Sequence, residues 1–541
     1  MENGKPVVVS SAFEVMLGQK FHTYAGGLGA VHGAILKSAG RNDWPVNMYG
    51  LSMLWKDGYY DQKVGPSGMI TDEDKIYKSR SYDFLEDTGV RVRVIIDGHS
   101  NIIKVWRLPP EVFKTVPIFF LDTDISGNDH LARSITQRLY TGNERQRLAQ
   151  EIVKGIGGVR ALEALGIKPD LYHGHECHSL LIAAEILRQN MALGMSFEEA
   201  QEATRQKFVF ATHTPELGGN EEHDIDLMIK MGCFPDIPRD KLIGLGGNPF
   251  SMTVAGLRLA KRANAVSELH CQTANAMWQH VDGRCQIVPV TNGVDLDWQY
   301  PEFAKADSAE AIILAKEKYQ TILFRHIFKR TGKQLDENIL TIVWARRFAE
   351  YKRPWLIFDM DWPWIEKLLK ERKIQIIIAG KPHPNDQKAV NTFNWLYRRS
   401  LDTPGLVVLA GYEYWLSKIL KAGADLWFQC PRRPREACGT SWISANFNGT
   451  LVLFSLDGGI LQSANMKYGF PFGVDYKCSF SGEQDKLDFQ DLVKVLPNPI
   501  DMFYNDKSQW YQWVLAVKKD AVQNFNSDRM LRDYINSIYL S

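Results

Sequence analysis

Short runs of apolar and β-branched residues alternate with longer stretches of helical periodicity along most of the chain. In the first half, the runs that predict strands are Val7–Ser10, Val46–Leu51, Val92–Ile96, Val116–Leu121, Leu171–His173, Phe208–Thr212 and Ala265–Val266. A second series lies at Leu340–Ala345, Ile374–Ala379, Leu406–Ala410, Leu426–Gln429 and Leu451–Ser455. Strands that alternate with helices in this way predict an α/β protein with parallel sheets.

The length of the chain predicts more than one domain. At 541 residues it is too long for one ordinary hydrophobic core. We expect an N-terminal Rossmann-like domain over residues 1–295 and a C-terminal Rossmann-like domain over residues 296–508. The last stretch, 509–541, is helical in pattern and rich in Trp and Tyr, and we expect it to pack back on the N-terminal domain.

Composition narrows the class of protein without naming a function. Hydrophobic residues make up 45% and charged residues 23%, as in ordinary globular proteins. The net charge of +1 gives no reason to expect a nucleic acid or a membrane surface as partner. Seven scattered cysteines favour reduced thiols, and the first residues show no signal-peptide pattern, so we expect a cytoplasmic protein.

One segment carries the most specific chemistry. Glu436-Ala-Cys-Gly-Thr-Ser441 lies between a predicted strand and a helix-like run, with small residues at the junction. Backbone N–H groups at such a junction favour an anion, and a carboxylate just before it can bind sugar hydroxyls. We therefore take Glu436, Cys438, Gly439, Thr440 and Ser441 as candidate substrate-binding residues.

This segment closely resembles the active-site motif of the α-glucan phosphorylases, Glu-Ala-Ser-Gly-Thr followed by the lysine that carries pyridoxal phosphate. Aligned on Asn448-Gly449, the lysine position is Ser444, which cannot form a Schiff base. The resemblance implies a GT-B glycosyltransferase fold, with two doubly wound domains and an active-site cleft between them. It also implies a chain that works without pyridoxal phosphate, so we expect no cofactor.

Two further segments resemble phosphate-binding parts of the same family. Tyr24-Ala-Gly-Gly-Leu-Gly29 follows the first strand, and its glycines, Gly26 and Gly27, can present N–H groups to an anion. Arg346-Arg-Phe-Ala-Glu-Tyr-Lys-Arg-Pro354 follows a strand, and cations there can clamp phosphate oxygens. The resemblance assigns Arg347 and Lys352 as the main cations of the clamp. The alternatives are a plain turn and a solvated charge run.

The sugar side is carried by histidines. Phe210-Ala-Thr-His-Thr-Pro215 resembles a family loop in which the main-chain carbonyl of the histidine faces the anomeric carbon, which gives His213 that position. A departure at Asn220 and Glu221, where the family has His-Asp, affects the acceptor side. His173-Gly-His-Glu-Cys-His178 invites a zinc reading, but it lacks a remote fourth ligand and matches a family cleft segment. We expect no metal there and take His178 as a candidate sugar contact.

These residues together predict a retaining hexosyltransferase. No pair of acidic residues stands out as the acid and nucleophile of a glycosidase. The missing lysine beside a retained clamp favours a nucleotide-sugar donor, UDP- or ADP-glucose, and an α-glucan or oligosaccharide acceptor. The nucleotide base of such a donor would lie near Lys381, Tyr412 and Tyr414. The alternatives are an α-glucan phosphorylase and a non-catalytic glucan-binding protein, and a homo-oligomer is possible.

Overall fold

The computed structural model describes residues 4–73, 75, 77–140, 142–216, 219–359, 361–473 and 480–541. Within these ranges the strands are β1 (Val7–Ser11), β2 (Asn47–Met53), β3 (Asp61–Val64), β4 (Ile70–Glu73), β5 (Glu86–Ile96), β6 (His99–Leu108), β7 (Ile118–Asp122), β8 (Leu171–His175), β9 (Phe208–Ala211), β10 (Glu222–His223), β11 (Phe250–Ser251), β12 (Arg262–Ala265), β13 (Ile287–Pro289), β14 (Leu340–Ala345), β15 (Ile374–Ala379), β16 (Leu406–Leu409), β17 (Leu426–Gln429), β18 (Leu451–Ser455) and β19 (Phe470–Phe472).

Helices connect most of these strands. They are α1 (Gly27–Arg41), α2 (Lys78–Ser81), α3 (Pro110–Phe113), α4 (His130–Ser134), α5 (Glu144–Ala164), α6 (Leu180–Ala192), α7 (Phe197–Arg205), α8 (Ile225–Met231), α9 (Arg239–Gly246), α10 (Met252–Leu259), α11 (Glu268–Met277), α12 (Pro301–Lys305), α13 (Ala309–Thr331), α14 (Leu356–Asp359), α15 (Trp362–Lys370), α16 (Gln387–Asp402), α17 (Tyr414–Gly423), α18 (Ser441–Phe447), α19 (Asn465–Tyr468), α20 (Ser481–Val495), α21 (Pro497–Asn505), α22 (Lys507–Asn524) and α23 (Ser527–Tyr534).

The chain forms two compact units. Unit 1 contains residues 1–59, 75–295 and 527–541, and unit 2 contains residues 60–74 and 296–526. These boundaries differ from the predicted domains at two places. The β3–β4 hairpin belongs to unit 2, although it lies early in the sequence, and only the part of the terminal helical stretch from Ser527 onward belongs to unit 1.

The sheet of unit 1 has the strand order β13-β12-β9-β8-β1-β2-β7-β6-β5. Its strands are parallel from β13 to β7, as predicted, but β6 runs antiparallel to both β7 and β5. The β5–β6 hairpin turns at Asp97-Gly98, where both residues have positive φ, 49° and 79°. Such a two-residue turn matches the twist of an antiparallel pair. The predicted α/β fold with parallel sheets is confirmed, and this edge of the sheet adds one antiparallel hairpin.

Helix α5 crosses the core of unit 1 and approaches its neighbours closely through glycines. A Cβ atom added to Gly155 would lie 2.5 Å from Leu181 Cβ, and one added to Gly157 would lie 2.3 Å from Ile103 Cδ1. Both distances are shorter than a carbon–carbon contact allows. Gly155 is thus required by packing against the backbone of α6, whereas a side chain at Gly157 would have to displace the end of Ile103.

The end of the chain is part of the unit 1 core. Ser38 Oγ donates to Asp528 Oδ1 at 2.6 Å, which joins α1 to α23. Met530, Leu531 and Tyr534 are completely buried in the hydrophobic cluster on this side of the sheet. The terminal segment therefore completes the apolar cover of α1.

The sheet of unit 2 has the order β16-β15-β14-β17-β18-β19, and each neighbouring pair is parallel. The β3–β4 hairpin joins this unit through Gln62 Nε2, which donates to the carbonyl of Pro382 at 2.9 Å. The N–H of Ile70 donates to Asn394 Oδ1 at 2.8 Å. Because all strands point the same way, the residues that follow them collect at one edge of the sheet.

The described helices include none with the length and apolar character needed to cross a bilayer.

We predict that Gly155→Ala destabilises the protein by about 1–3 kcal/mol, because the added methyl group must displace Leu181 on α6. The free energy of unfolding from denaturant titration measures this effect. Gly244→Ala is the matched control: it also adds a methyl group to a helical glycine, but nothing lies within 4 Å of the new atom. The control should keep or slightly raise stability. Equal midpoints for the Gly155 variant and the wild type would contradict the packing argument.

Candidate functional site

A buried ion cluster lies at the carboxyl end of β14. Arg346 directly follows this strand, and its Nη2 donates to Glu436 Oε2 at 2.9 Å. Lys352 Nζ donates to the same oxygen at 2.7 Å. All three residues are at most 8% exposed. Burial alone would raise the pKa of Glu436, but the charges of Arg346 and Lys352 outweigh burial and lower that pKa to about 2. The carboxylate is therefore ionised at neutral pH.

The loops that carry this cluster are pinned by Arg353. This residue has a left-handed backbone, with φ of 48°, and its side chain is completely buried. Its Nε donates to the Cys430 carbonyl at 2.7 Å and its Nη2 to the Pro431 carbonyl at 3.0 Å. Its Nη1 pairs with Asp488 Oδ2 at 2.7 Å. The loop after β14 and the loop after β17 are thus held in a fixed relation to each other.

Asp457, just beyond β18, supports Glu436 from behind. Its Oδ2 accepts the N–H of Glu436 at 2.8 Å, and its Oδ1 accepts the N–H of Gly458 at 2.9 Å. Burial raises the pKa of Asp457 well above its usual range, and the charge of Glu436 adds to that effect. Sequence reasoning did not single out Asp457, because nothing in the sequence shows that it faces a backbone N–H.

The small residues after Glu436 pack against the ion cluster. Gly439 has φ of +72°, and a Cβ atom there would lie 3.3 Å from both Arg346 Nη2 and Glu436 Cγ. Cys438 accepts the N–H of Gly459 on its carbonyl at 2.9 Å. Thr440 precedes the first turn of α18. Because Gly439 has no side chain, the chain can pass close to the Arg346 guanidinium just before this helix.

Ser441 and Ser444 lie on α18. Ser441 Oγ accepts from Trp427 Nε1 at 3.3 Å. Ser444 is 2% exposed, and its hydroxyl donates to the carbonyls of Thr440 and Ser441 at 3.4 and 3.1 Å. The side chain that occupies the predicted lysine position is therefore short and directed back onto its own helix.

Of the two adjacent arginines, Arg346 contacts Glu436. The resemblance assigned Arg347 to the phosphate clamp, and that assignment stays a prediction. Arg347 is exposed in the structure, while Arg346 is buried beside Gly439. Neighbouring residues on an extended backbone point to opposite sides, so the two adjacent arginines have different surroundings.

A hydrogen-bonded chain of polar groups approaches the cluster from α17. Lys421 Nζ donates to Ser417 Oγ at 3.0 Å, and that oxygen lies 2.7 Å from the Tyr412 hydroxyl. The Tyr412 hydroxyl donates to the carbonyl of Ala345 at 3.2 Å. Burial and the charge of Arg346 lower the pKa of Lys421 to about 7. Lys421 lay outside the predicted site, since a lysine in a helix is ordinarily exposed.

The residues predicted near a nucleotide base already have protein partners. Tyr412 uses its hydroxyl in the chain just described. The ring of Tyr414 lies 4.6 Å from that of Trp298, measured between centroids. Lys381 Nζ lies 3.4 Å from Asp61 Oδ1. Stacking of a base on Tyr412 or Tyr414 stays a prediction.

In unit 1, the glycine-rich loop binds a carboxylate of the protein itself. Glu14 Oε2 accepts the N–H groups of Ala25 and Gly26 at 2.6 and 2.9 Å, and Tyr140 donates its hydroxyl to Glu14 Oε1 at 2.9 Å. Burial raises the pKa of Glu14. We expected Gly26 and Gly27 to offer N–H groups to an anion. In this structure the N–H of Gly26 is instead donated to Glu14, and Gly27 begins α1.

Glu176 has the most strained backbone near the predicted sugar site. Its φ of 64° and ψ of 167° lie in a region that suits glycine, at a cost of about 1–3 kcal/mol. Its Oε1 accepts the N–H of His213 at 2.8 Å and the hydroxyl of Thr214 at 2.9 Å. Burial raises the pKa of Glu176 to about 7. The Glu176 carboxyl group thus holds the His213 loop in place. The strained backbone of Glu176 indicates this role in the structure, but the sequence does not reveal it.

His213 is part of a row of neutral imidazoles. Its Nε2 lies 3.1 Å from His175 Nδ1, and His175 Nε2 lies 3.1 Å from Ser10 Oγ. Burial lowers the pKa of His213 to about 3. His178, the other predicted sugar contact, is 3% exposed and stacks on Phe13 with 4.3 Å between ring centroids. His178 is therefore packed in unit 1, and its role as a sugar contact stays a prediction.

The His173–His178 segment does not gather three metal-ligand atoms within the described ranges. Within the described residues, three potential metal-ligand atoms do come together at Glu151, Glu221 and His223, within 4.8 Å of one another. Arg147 already pairs with both carboxylates, through Nη2 to Glu221 and through Nε to Glu151 at 3.3 Å. This arrangement is that of an ion pair and does not resemble an open metal site.

We predict that Glu176→Gln removes a pH dependence of stability between about pH 4.5 and 7. The folded pKa of Glu176, about 7, is above its ordinary value of 4.5, so the folded state binds more protons in this window. Stability from this group is therefore present at low pH and is lost as the pH rises, by an upper estimate of about 3 kcal/mol. Gln keeps the acceptor for His213.

Melting temperatures of the wild type and Glu176→Gln at pH 5 and pH 8 test this point. The variant should gain stability relative to the wild type at pH 8. Glu111→Gln, which neutralises an exposed carboxyl group of the same unit, is the control. A constant difference between Glu176→Gln and the wild type at both pH values would rule out the proposed titration.

Comparison with known proteins identifies relatives along the whole chain. No family model matches it. An uncharacterized protein of Methanocaldococcus jannaschii is 38% identical over 531 residues, which are 97% of this chain and 98% of that protein. The glycogen phosphorylase of Aquifex aeolicus is 30% identical over 607 residues, with 99% of this chain and 86% of that protein covered. The maltodextrin phosphorylase of Thermococcus litoralis is 29% identical over 589 residues, covering 98% and 70%. With its two α/β units of GT-B type, the chain belongs to the glycogen phosphorylase family.

Proposed function

We propose that this protein transfers glucosyl residues between an α-glucan and a phosphate-bearing donor, and that the donor is a nucleoside diphosphate sugar such as UDP- or ADP-glucose. The observation that carries the proposal is Arg346. Its Nη2 contacts Glu436, whereas its Nη1 is buried and has no hydrogen-bond partner in the described part of the chain. An unsatisfied buried guanidinium N–H is costly, and a phosphate oxygen would satisfy it.

The charge around Glu436 also favours an anionic ligand. One carboxylate faces Arg346 and Lys352, and Arg347 adds a third cation to the same loop. Burial raises the pKa of Asp457, the other carboxyl group beside Glu436. The excess of positive charge at the end of β14 suits the two phosphates of a nucleotide sugar.

In the proposed reaction, Arg346 and Lys352 stabilise the negative charge that develops on the departing phosphate group. Glu436 stays ionised, holds these two cations in place and accepts hydrogen bonds from sugar hydroxyls. The departing phosphate itself accepts the proton of the acceptor hydroxyl, so no glycosidase-like acid pair is required. By resemblance to the family, the main-chain carbonyl of His213 would face the anomeric carbon of the sugar. Glu176 holds the loop that carries His213.

The segment on α18 does not fit pyridoxal phosphate held as a Schiff base. That linkage needs a lysine amine, and Ser444 supplies a hydroxyl that is bonded to the carbonyls of Thr440 and Ser441. The absence of the lysine beside retained cations is the reason for preferring a donor with two phosphates.

A second candidate function is phosphorolysis of an α-glucan to glucose 1-phosphate. It is favoured by the names of the relatives from Aquifex aeolicus and Thermococcus litoralis, which are a glycogen and a maltodextrin phosphorylase. The same cations would then bind inorganic phosphate. The two functions differ in the donor, and a direct assay separates them.

We predict release of a nucleoside diphosphate when the protein is incubated with glycogen and one of UDP-, ADP- or GDP-glucose. Parallel reactions contain glycogen with glucose 1-phosphate, and free phosphate is measured. Release from one nucleotide sugar supports the main proposal, and activity with glucose 1-phosphate alone supports phosphorolysis. Thermal shifts with the same ligands are the binding control, since a ligand at a hundred times its dissociation constant adds about 2.7 kcal/mol of stability. Absence of both activity and shifts would overturn both functions.

We also predict that Lys352→Ala lowers kcat by about 100- to 1000-fold, because it removes a cation that stabilises the leaving phosphate. Lys352→Arg keeps the charge and should retain more activity. Lys367→Ala, which truncates an exposed lysine of α15 with 71% side-chain exposure, is the control. Circular dichroism and melting temperature monitor the fold. A folded Lys352→Ala protein with wild-type kcat would refute the phosphate-binding role.

A further inference from the structure

A groove rich in tryptophan runs along α16 on unit 2. Two adjoining hollows of about 470 and 420 Å³ form it, and Trp395 lines both. Trp355 lines the first hollow and Trp362 the second. All three indoles are half-buried, so each combines a packed edge with accessible surface. We call this feature the α16 groove.

One face of α16 lines the groove. Lys388, Asn391, Trp395 and Arg399 recur at intervals of three or four residues, which places them on one side of α16. From Lys388 to Arg399 this side is about 17 Å long at 1.5 Å per residue, enough for several sugar units. The other side carries buried residues such as Phe393 and packs into the unit.

Arg399 holds the indoles in place. Its guanidinium carbon lies 4.6 Å from the ring centroid of Trp362 and 5.6 Å from that of Trp395. Such stacking fixes two aromatic side chains at modest entropic cost. These contacts restrict the two indoles in the free protein, which favours affinity.

The charges lining the groove cancel. Three cationic residues, Lys388, Arg398 and Arg399, face three acidic residues, Glu350, Glu366 and Asp402. A balanced lining gives no net attraction for phosphate, nucleic acid or an acidic peptide. It suits a neutral ligand that both donates and accepts hydrogen bonds and also has apolar faces.

A glucan chain has these properties, because each pyranose ring has a face of C–H groups and a rim of hydroxyls. The C–H face packs on an indole ring, and the rim bonds to charged and amide side chains such as Asn391. We propose that the α16 groove binds an α-glucan chain at a site additional to the reaction site. The choice of polysaccharide rests on the proposed function.

The position of the groove gives this binding a purpose. Trp355 lies three residues after Lys352, so the loop that carries a cation of the ion cluster also lines the groove. Holding a polymer there raises the concentration of its chain ends near the same unit. The effect would be large for glycogen and absent for a short oligosaccharide that cannot reach both sites.

Affinity electrophoresis in native gels that contain glycogen tests the proposal. The wild type should migrate more slowly as glycogen is added, and Trp395→Ala should raise the apparent dissociation constant about tenfold or more. Trp362→Ala removes an indole that lines only the second hollow, and it should also raise the apparent dissociation constant, by a smaller factor. Trp415→Ala removes a tryptophan of the same unit that does not line the groove, and it should migrate as the wild type does.

The possible outcomes separate this proposal from the function proposed above, because the gel needs no donor. Weaker retardation of folded Trp395→Ala or Trp362→Ala supports the groove even if no transfer activity exists. Unchanged retardation of both, or no retardation of the wild type, overturns it even if transfer is active. Equal retardation by a soluble β-linked glucan would overturn the α-glucan assignment. A dimer that only the groove variants lose, without glycogen binding, would make the groove a protein interface.

Discussion

The arrangement at the end of β14 depends on one carboxylate shared by two cations. Removing Arg346, Lys352 and Glu436 from water is expensive, and their mutual contacts offset part of that cost. The surrounding parts serve this cluster: Arg353 fixes the loops and Gly439 allows the chain to pass over the guanidinium. Loss of Glu436 would leave two buried cations without their shared partner, whereas loss of either cation would leave a balanced pair.

The acidic residues near the predicted sites differ in protonation because their neighbours differ. Glu436 faces two cations, so its pKa falls to about 2. Glu14 and Glu176 are bonded mainly to backbone N–H groups and hydroxyls, and burial raises the pKa of both. One residue type thus supplies a permanent anion in unit 2 and proton-binding groups in unit 1, as expected when charge partners and burial compete.

Much of the fold could be predicted from the sequence, because buried parallel strands are continuous apolar runs. The strands β14, β15, β17 and β18 have the predicted bounds. The β5–β6 hairpin was not predicted as such, since β5 alternates exposed and covered positions and carries few apolar residues in its first half. Its antiparallel direction follows from the Asp97-Gly98 turn, a local signal that the strand pattern alone does not contain.

The candidate site was predictable only in part. Glu436 and Lys352, named from their motif, do lie together, but their role in catalysis stays a prediction. The hydrogen bond between Gly26 and Glu14 joins residues that are twelve positions apart and depends on how the chain folds between them. The strain at Glu176 depends on a backbone angle, and the burial of Lys421 depends on its neighbours in the folded unit. Such facts arise from packing, so a sequence without its fold does not reveal them.

The β3–β4 hairpin has a consequence for the order of events during synthesis. Gln62 and Ile70 leave the ribosome long before the residues that satisfy them, since Pro382 is 320 and Asn394 is 324 positions later. A two-stranded hairpin is at best marginally stable alone. The nascent chain must therefore carry an unfinished piece of unit 2 while most of unit 1 emerges around it. Unit 2 reaches its complete form late in translation, and a truncation at residue 295 would separate the hairpin from the strands it serves.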